Sequence, residues 1–235
     1  MLVEGAISLK ACIQNKKRTV NRVYIDKTKR TKDFNYIRRL IKENNIELLE
    51  INRDDFLNYT SGKTHGGIIG EVSGRINDVF DEGDIFFLDG IEDPFNIGYI
   101  IRTLYAFGIK NIMLPLRDYS TMEAQIIKSS AGAYESANIK LCEDPLKEVL
   151  ELKKKGYKSY ALKRGDDAKD MFDEKFAEKA IFLLGGEKRG ISKGLMENCD
   201  QFLYIPYASD FRNSLNAAAA ADVLATLLYK QKRHD

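Results

Sequence analysis

Short apolar runs alternate with longer amphipathic stretches along most of this chain, and two late runs stop abruptly. Residues 181–184 (IFLL) end at Gly185, and residues 202–205 (FLYI) end at Pro206. Short apolar runs bounded by such breakers suit buried strands. Past the second run lies a polar turn, then a small-residue run at 217–221 that continues as a helix through 222–229. Ser214 stands before that helix, and serine is a favoured N-cap because its oxygen accepts an otherwise unpaired N–H. The tip after one strand therefore carries Gly185, Gly186, Glu187 and Gly190, and the tip after the other carries Ser214 and Asn216. If the two strands are parallel neighbours, both tips lie along one rim, where open α/β sheets hold ligands.

The alternation extends upstream. Residues 84–88 (DIFFL) predict a strand, a loop leads to Asn96 as a candidate cap, and residues 97–108 predict a helix that stops at Gly108. Arg102 lies in that helix, six positions from Asn96 and on a different face. Strands follow at 111–114, 138–141 and 157–162, with helices at 121–130, 145–155 and 192–198. Successive β-then-α units predict a parallel sheet flanked by helices. In the first third, a helix over 4–14 is followed by strands at 23–25, 46–49 and 68–72. Between them lie a helix from an Asp33 cap to 44 and a short helix at 53–59. That is a small α/β sandwich, and the polar segment 73–83 reads as the boundary between residues 1–76 and a second domain at 84–235.

Charge sharpens the division. Residues 1–76 hold 15 Lys and Arg against 9 Asp and Glu, while the remainder holds 22 against 26. A basic first third suits an anionic partner such as RNA, and equally suits a solvated basic surface. The candidates for an RNA face are Arg18 in a basic turn, Lys29 and Arg30 in a loop, and Lys63 and His65 in SGKTHGG. Glycine there lets backbone approach a phosphate; a plain turn is the competing explanation. Three widely spaced cysteines with no CxxC fit neither a disulfide scaffold nor a zinc site and suit a reducing cytoplasm. No apolar run reaches the roughly 18 residues of a membrane span. The opening MLVEGAISLK has no basic-then-apolar pattern, so no signal peptide and no membrane partner are expected.

Candidate chemistry narrows by exclusion. GGEKRG lies too late and has the wrong spacing for a dinucleotide fingerprint, and no Walker loop or HExxH occurs. With only His65 and His234 available, a Ser–His–Asp set is unconvincing and no metal is expected. What remains is a glycine-rich tip with Glu187, Ser214, Asn216, Asn96 and Arg102, suited to binding a polar small molecule through backbone amides with a phosphate or hydroxyl nearby.

Three segments in this order carry a resemblance. DPFNIGYIIRTLYAFG is similar to an Asn-x-Gly-x-x-x-Arg pattern through Asn96, Gly98 and Arg102. LLGGEKRGIS is similar to Gly-x-Glu-x-x-Gly through Gly185, Glu187 and Gly190, and IPYASDFRNSLNAAAAA to an Ile-Pro … Ser-Leu-Asn segment. Together they resemble the SpoU branch of the SPOUT methyltransferases, S-adenosylmethionine-dependent enzymes that methylate RNA ribose 2′-hydroxyls. The chain departs from that pattern at Gly186, where the family usually has Asn, and in a 206–214 turn one residue longer. The resemblance implies a C-terminal trefoil knot, a homodimer with the active site at its interface, and a substrate of RNA, ribosomal rather than transfer. It implies S-adenosylmethionine among Leu184, Gly185, Gly186, Gly190, Ile205, Pro206, Leu215 and Asn216. It implies catalytic work by Asn96, Arg102, Glu187, Ser214 and Asn216, with Glu187 bracing Arg102 or its loop. The first third, through HGGIIGEV, looks like the small RNA-binding domain many members carry. The alternative is a non-catalytic RNA-binding or ribosome-assembly protein on the same fold; an unrelated nucleotide-binding enzyme ranks below both.

Overall fold

A computed structural model of the chain describes residues 1–60 and 65–232. By its internal packing the chain divides into two compact units, residues 1–76 with 118–136 and residues 77–117 with 137–235. By contacts, the segment 118–136 packs with the first unit.

The first unit holds a four-stranded sheet in the order β1-β4-β2-β3. Its strands are β1 (Leu2–Glu4), β2 (Val20–Asp26), β3 (Glu47–Ile51) and β4 (Ile68–Val72). β4 pairs antiparallel with β1 and β2, and β2 pairs parallel with β3. β1, only three residues long, had no distinguishing pattern. Helix α1 (Ala6–Asn15) lays buried Leu9 over Gly70, where an added Cβ would come within 2.4 Å of the leucine. Helix α2 (Lys32–Glu43) buries Phe34, Ile37, Leu40 and Ile41 from one face. Its cap is Thr31, whose hydroxyl accepts from Phe34 N–H, and not Asp33, which lies inside the first turn. Residues Arg53–Asn58 form a 3-10 turn. The returning segment supplies α4 (Glu123–Ser129) and α5 (Ala133–Ser136), whose Glu123 and Glu135 close on Arg18.

That contact removes Arg18 from the candidate RNA face. Its guanidinium is wholly buried, at 2.8 Å from Glu123 and 2.9 Å from Glu135. It also donates to the Ser73 carbonyl at 3.1 Å. Burial alone would lower its pKa; hydrogen bonds to the two carboxylates outweigh that and raise it. A charge kept out of water in this way needs its partners.

The second unit is built on a seven-stranded, all-parallel sheet in the order β7-β6-β5-β10-β8-β11-β9. These are β5 (Ile85–Asp89), β6 (Asn111–Pro115), β7 (Asn138–Cys142), β8 (Lys158–Leu162), β9 (Lys169–Asp170), β10 (Ala180–Gly185) and β11 (Gln201–Tyr204). The helices are α3 (Pro94–Ala106), α6 (Pro145–Lys154), α7 (Lys193–Glu197) and α8 (Ala217–Lys232). Both sheet faces are buried, which is why the strands read as unbroken apolar runs. Ile85, Phe87, Ile181 and Leu183 pack one face with Val149 and Leu195. Phe86, Phe182 and Tyr160, in register on the other, pack ring to ring, Phe86 tilted against Phe182 at 5.0 Å and Tyr160 stacked on it at 5.3 Å. β10 and β11 are parallel but not neighbours: β8 lies between them. Their C-terminal ends still open on the same rim. No helix among the described residues is long and apolar enough to cross a membrane.

Candidate active site

The first wall of the site is the loop that leaves β10. Gly190, in the left-handed region at φ 64°, donates its N–H to the Gly186 carbonyl at 2.8 Å and closes the loop on itself. Gly186 N–H donates to the Asp89 carbonyl at 2.8 Å, and the Asp89 carboxylate accepts from Ser192 N–H at 2.6 Å. The end of β5 thus holds both ends of the loop. At its start there is no room for a side chain: a Cβ on Gly185 would lie 2.5 Å from Gly190 C and Ile191 N, and one on Gly186 2.0 Å from the Gly90 oxygen. The loop as it is folded here therefore requires glycine at 186.

The second wall is the loop between β11 and α8. Asn216 Oδ1 accepts from Ala219 N–H at 2.7 Å, so Asn216 caps α8. Ser214, the expected cap, stands two residues earlier, exposed, because a cap oxygen must reach the second or third helical amide. Tyr207 Oη accepts from Leu215 N–H at 3.0 Å. Arg164, just past β8, donates to the carbonyls of Phe211, Arg212 and Asn213 and lies 4.4 Å over the Tyr207 ring.

Between the walls lies a cleft of about 780 Å³. Leu184, Gly185, Gly186, Gly190, Ile205, Leu215 and Asn216 line it, with Glu187 and Ser214. Pro206, Asn96 and Arg102 are not on its wall. Asn96 lies in the first turn of α3, and the cap is Asp93, whose carboxylate accepts from Asn96 N–H at 2.9 Å behind Pro94. The Asn96 side chain is therefore not used as a cap; its Nδ2 donates to Glu187 Oε1 at 3.5 Å. Glu187 braces Asn96 rather than Arg102. Arg102 is exposed on α3 and has no hydrogen bond or ion pair among the described residues.

Sequence reasoning missed Lys163, Arg164, Arg189 and Tyr207, which also line the cleft. Arg164 meets carbonyls 47 to 49 positions away, a contact with no local signature. The thiols are not placed for chemistry: burial pushes Cys12 up to about 12 and Cys142 to about 11.

On the first unit, Arg30 is exposed and Lys29 half-buried in the loop after β2. Lys63 lies outside the described residues. His65 is buried, stacked on Phe56 at 4.5 Å, with Nδ1 accepting from Gly67 N–H at 3.0 Å. It braces its own turn and is not presented to a partner.

Against known families, residues 84–226 match the SpoU rRNA Methylase family, and residues 2–75 match the RNA 2′-O ribose methyltransferase substrate-binding domain. The chain belongs to the SpoU rRNA methylase family. At that level it is an RNA methyltransferase of the SpoU/TrmH kind. A Staphylococcus haemolyticus protein named as a TrmH family tRNA/rRNA methyltransferase is 27% identical over 227 residues, 92% of this chain and 90% of that one. The fold is shared with the SpoU methyltransferase AviRb from Streptomyces viridochromogenes, solved with the cofactor AdoMet. The two chains are 20% identical with a TM-score of 0.82, covering 100% of this chain and 91% of AviRb. An AdoMet-bound rRNA methyltransferase from Sinorhizobium meliloti gives 18% identity and a TM-score of 0.77, covering 99% and 87% of the two chains.

Proposed function

We propose that this SpoU-family chain transfers a methyl group from S-adenosylmethionine to a ribose 2′-hydroxyl of RNA, with ribosomal RNA favoured over transfer RNA. One observation carries the assignment: a cleft at the C-terminal rim of a parallel sheet, walled by two backbone loops, with the Asn96–Glu187 pair beside it. Its volume of about 780 Å³ falls in the ordinary range for small-molecule sites. Its surfaces suit the cofactor. Leu184, Ile205 and Leu215 offer apolar contact for a flat base. The loop at Gly185 and Gly186 offers backbone polar groups where no side chain could stand. Asn216 spends its Oδ1 on the α8 cap and keeps Nδ2 to donate.

When bound, S-adenosylmethionine supplies a methyl already activated by its sulfonium, so the protein's share is mostly positioning. The ribose hydroxyl must lose a proton. Arg102 is unsuited to take it, because a guanidinium stays protonated above pH ~12. Its role is to clamp a phosphate and the developing alkoxide. Asn96, held by Glu187, and Ser214 orient the ribose. The working unit, as the family resemblance implies, is a homodimer with the site at its interface, and the place of Arg102 off the cleft wall of its own chain is consistent with one copy's Arg102 serving the other's cleft. The basic loops of the first unit, through Lys29 and Arg30, hold the RNA.

The test is to incubate the protein with methyl-labelled S-adenosylmethionine and total RNA, then digest to nucleosides and identify the labelled product by mass. A 2′-O-methyl nucleoside from the ribosomal fraction is expected. Label on a base, or on transfer RNA alone, would overturn the assignment at that level.

A further inference from the structure

The loop from β11 to α8 carries Ser214, Leu215 and Asn216 into the cleft, yet it has little structure of its own. Residues 208–214 are exposed, and one internal bond is Phe211 N–H to Ser209 Oγ at 3.4 Å. One side chain from outside holds it. Arg164 Nη1 donates to the Arg212 carbonyl and to the Asn213 carbonyl at 3.3 Å, and Nη2 donates to the Phe211 carbonyl at 3.3 Å. Three successive carbonyl dipoles converging on one point repel each other unless a donor stands there. The same guanidinium lies over the Tyr207 ring at 4.4 Å, and the Tyr207 hydroxyl takes the Leu215 N–H at 3.0 Å. Arg164 is thereby linked to both ends of the loop, directly at 207 and 211–213 and through Tyr207 at 215.

We propose that Arg164 is a positioning residue that selects the cofactor-competent conformer of the 206–216 loop and so sets the affinity for S-adenosylmethionine. This rests on the methyl-transfer assignment above. The planar fork is what the geometry uses. A lysine ammonium carries the charge on a single point and cannot reach three carbonyls while stacking on a ring. Because the loop is exposed, water can satisfy its carbonyls when Arg164 is removed, so the fold survives while the competent population falls. Apparent affinity weakens in proportion to that fraction, so a drop to about a tenth weakens it about tenfold.

The experiment uses the full chain and the variants Arg164→Gln, Arg164→Lys and Tyr207→Phe. The readouts are calorimetric Kd for S-adenosylmethionine, KM and kcat at saturating RNA, amide exchange across 207–215, and the melting temperature. Arg164→Gln is expected to raise Kd about tenfold, to raise KM for the cofactor more than it lowers kcat, and to speed exchange across 207–215 with an unshifted melt. Arg164→Lys is expected to recover little of this. Tyr207→Phe keeps the ring and should speed exchange chiefly at the Leu215 amide. A wild-type Kd in Arg164→Gln, or full rescue by lysine, would overturn the proposal. Should the wild-type chain bind no S-adenosylmethionine, the methyl-transfer assignment fails by itself. Exchange then still decides the loop: unchanged protection in Arg164→Gln refutes the ordering role, and faster exchange upholds it.

Discussion

The surroundings of Arg18 and the late-loop cleft spend charged and polar groups in opposite ways. Arg18 is closed away from water between Glu123 and Glu135, with Tyr134 donating to Glu123 at 3.1 Å. Every charge there faces another, and nothing is left to offer a ligand. In the second unit the cleft is lined by backbone at Gly185 and Gly186 and by polar side chains such as Ser214 and Arg189, and the exposed Arg102 guanidinium has no partner among the described residues. A buried, satisfied arginine serves stability, while an exposed one with no partner keeps its donors available, as the proposed role of Arg102 requires. Net charge alone distinguishes neither, so the basic surplus of residues 1–76 overstates their RNA face by at least Arg18.

The sharpest way to break this contrast is at Arg18. Arg18→Ala strands two carboxylates and should cost about 3 to 5 kcal/mol in denaturant unfolding, with S-adenosylmethionine affinity little changed. A loss of under about 1 kcal/mol, the range of exposed pairs, would mean the cluster is not a closed one. Next is Arg102→Ala, expected to lower methyl-transfer turnover about 10² to 10³-fold, by analogy with loss of one transition-state donor. Its unfolding midpoint and cofactor Kd should hold. Equal turnover would remove Arg102 from the mechanism. Gly186→Ala drives a methyl into the Gly90 carbonyl, and the displaced loop should lower methyl-transfer turnover about 100-fold, with weaker cofactor binding read by calorimetry.

The smallest effect is at Asp200, which accepts from Ser159 N–H at 2.9 Å and Ser159 Oγ at 2.8 Å and pairs with Lys153 at 2.8 Å. Burial pushes its pKa up, but Lys153 and the Ser159 bonds outweigh it and hold the carboxyl below its ordinary value. A depressed folded pKa gives stability that is present above the unfolded value of about 3.9 and lost as pH falls through the folded value. Asp200→Asn should therefore cost about 1 kcal/mol at neutral pH, with the gap to wild type closing in unfolding curves taken progressively below about pH 4. A gap that persists in acid would assign the effect to packing.

Much of the second unit was legible because apolar runs and their breakers are local signals. Strands at 111–114 and 138–141 and the helix at 145–155 lie within a residue or so of β6, β7 and α6. The rim tips were legible for the same reason, since Gly185, Gly190 and Pro206 punctuate the chain. What depended on distant pairing was not. β8 stands between β10 and β11, an order set by packing that no local pattern records. Arg18 finds its carboxylates 105 and 117 positions away, and Arg164 its carbonyls 47 to 49 away. Caps fall between. Thr31, Asp93 and Asn216 each lie within three positions of the residue expected, because several side chains nearby could cap and only the helix's true start decides which does.

The most direct test of the backbone-walled cleft is a crystal structure of the chain with S-adenosylhomocysteine. The expected result is ligand density between the 185–190 loop and residues 205 and 214–216, contacted largely by main-chain groups. Density instead in the hollow of about 490 Å³ at the other end of the sheet, beside Asp84, Asn111 and Lys232, would contradict it.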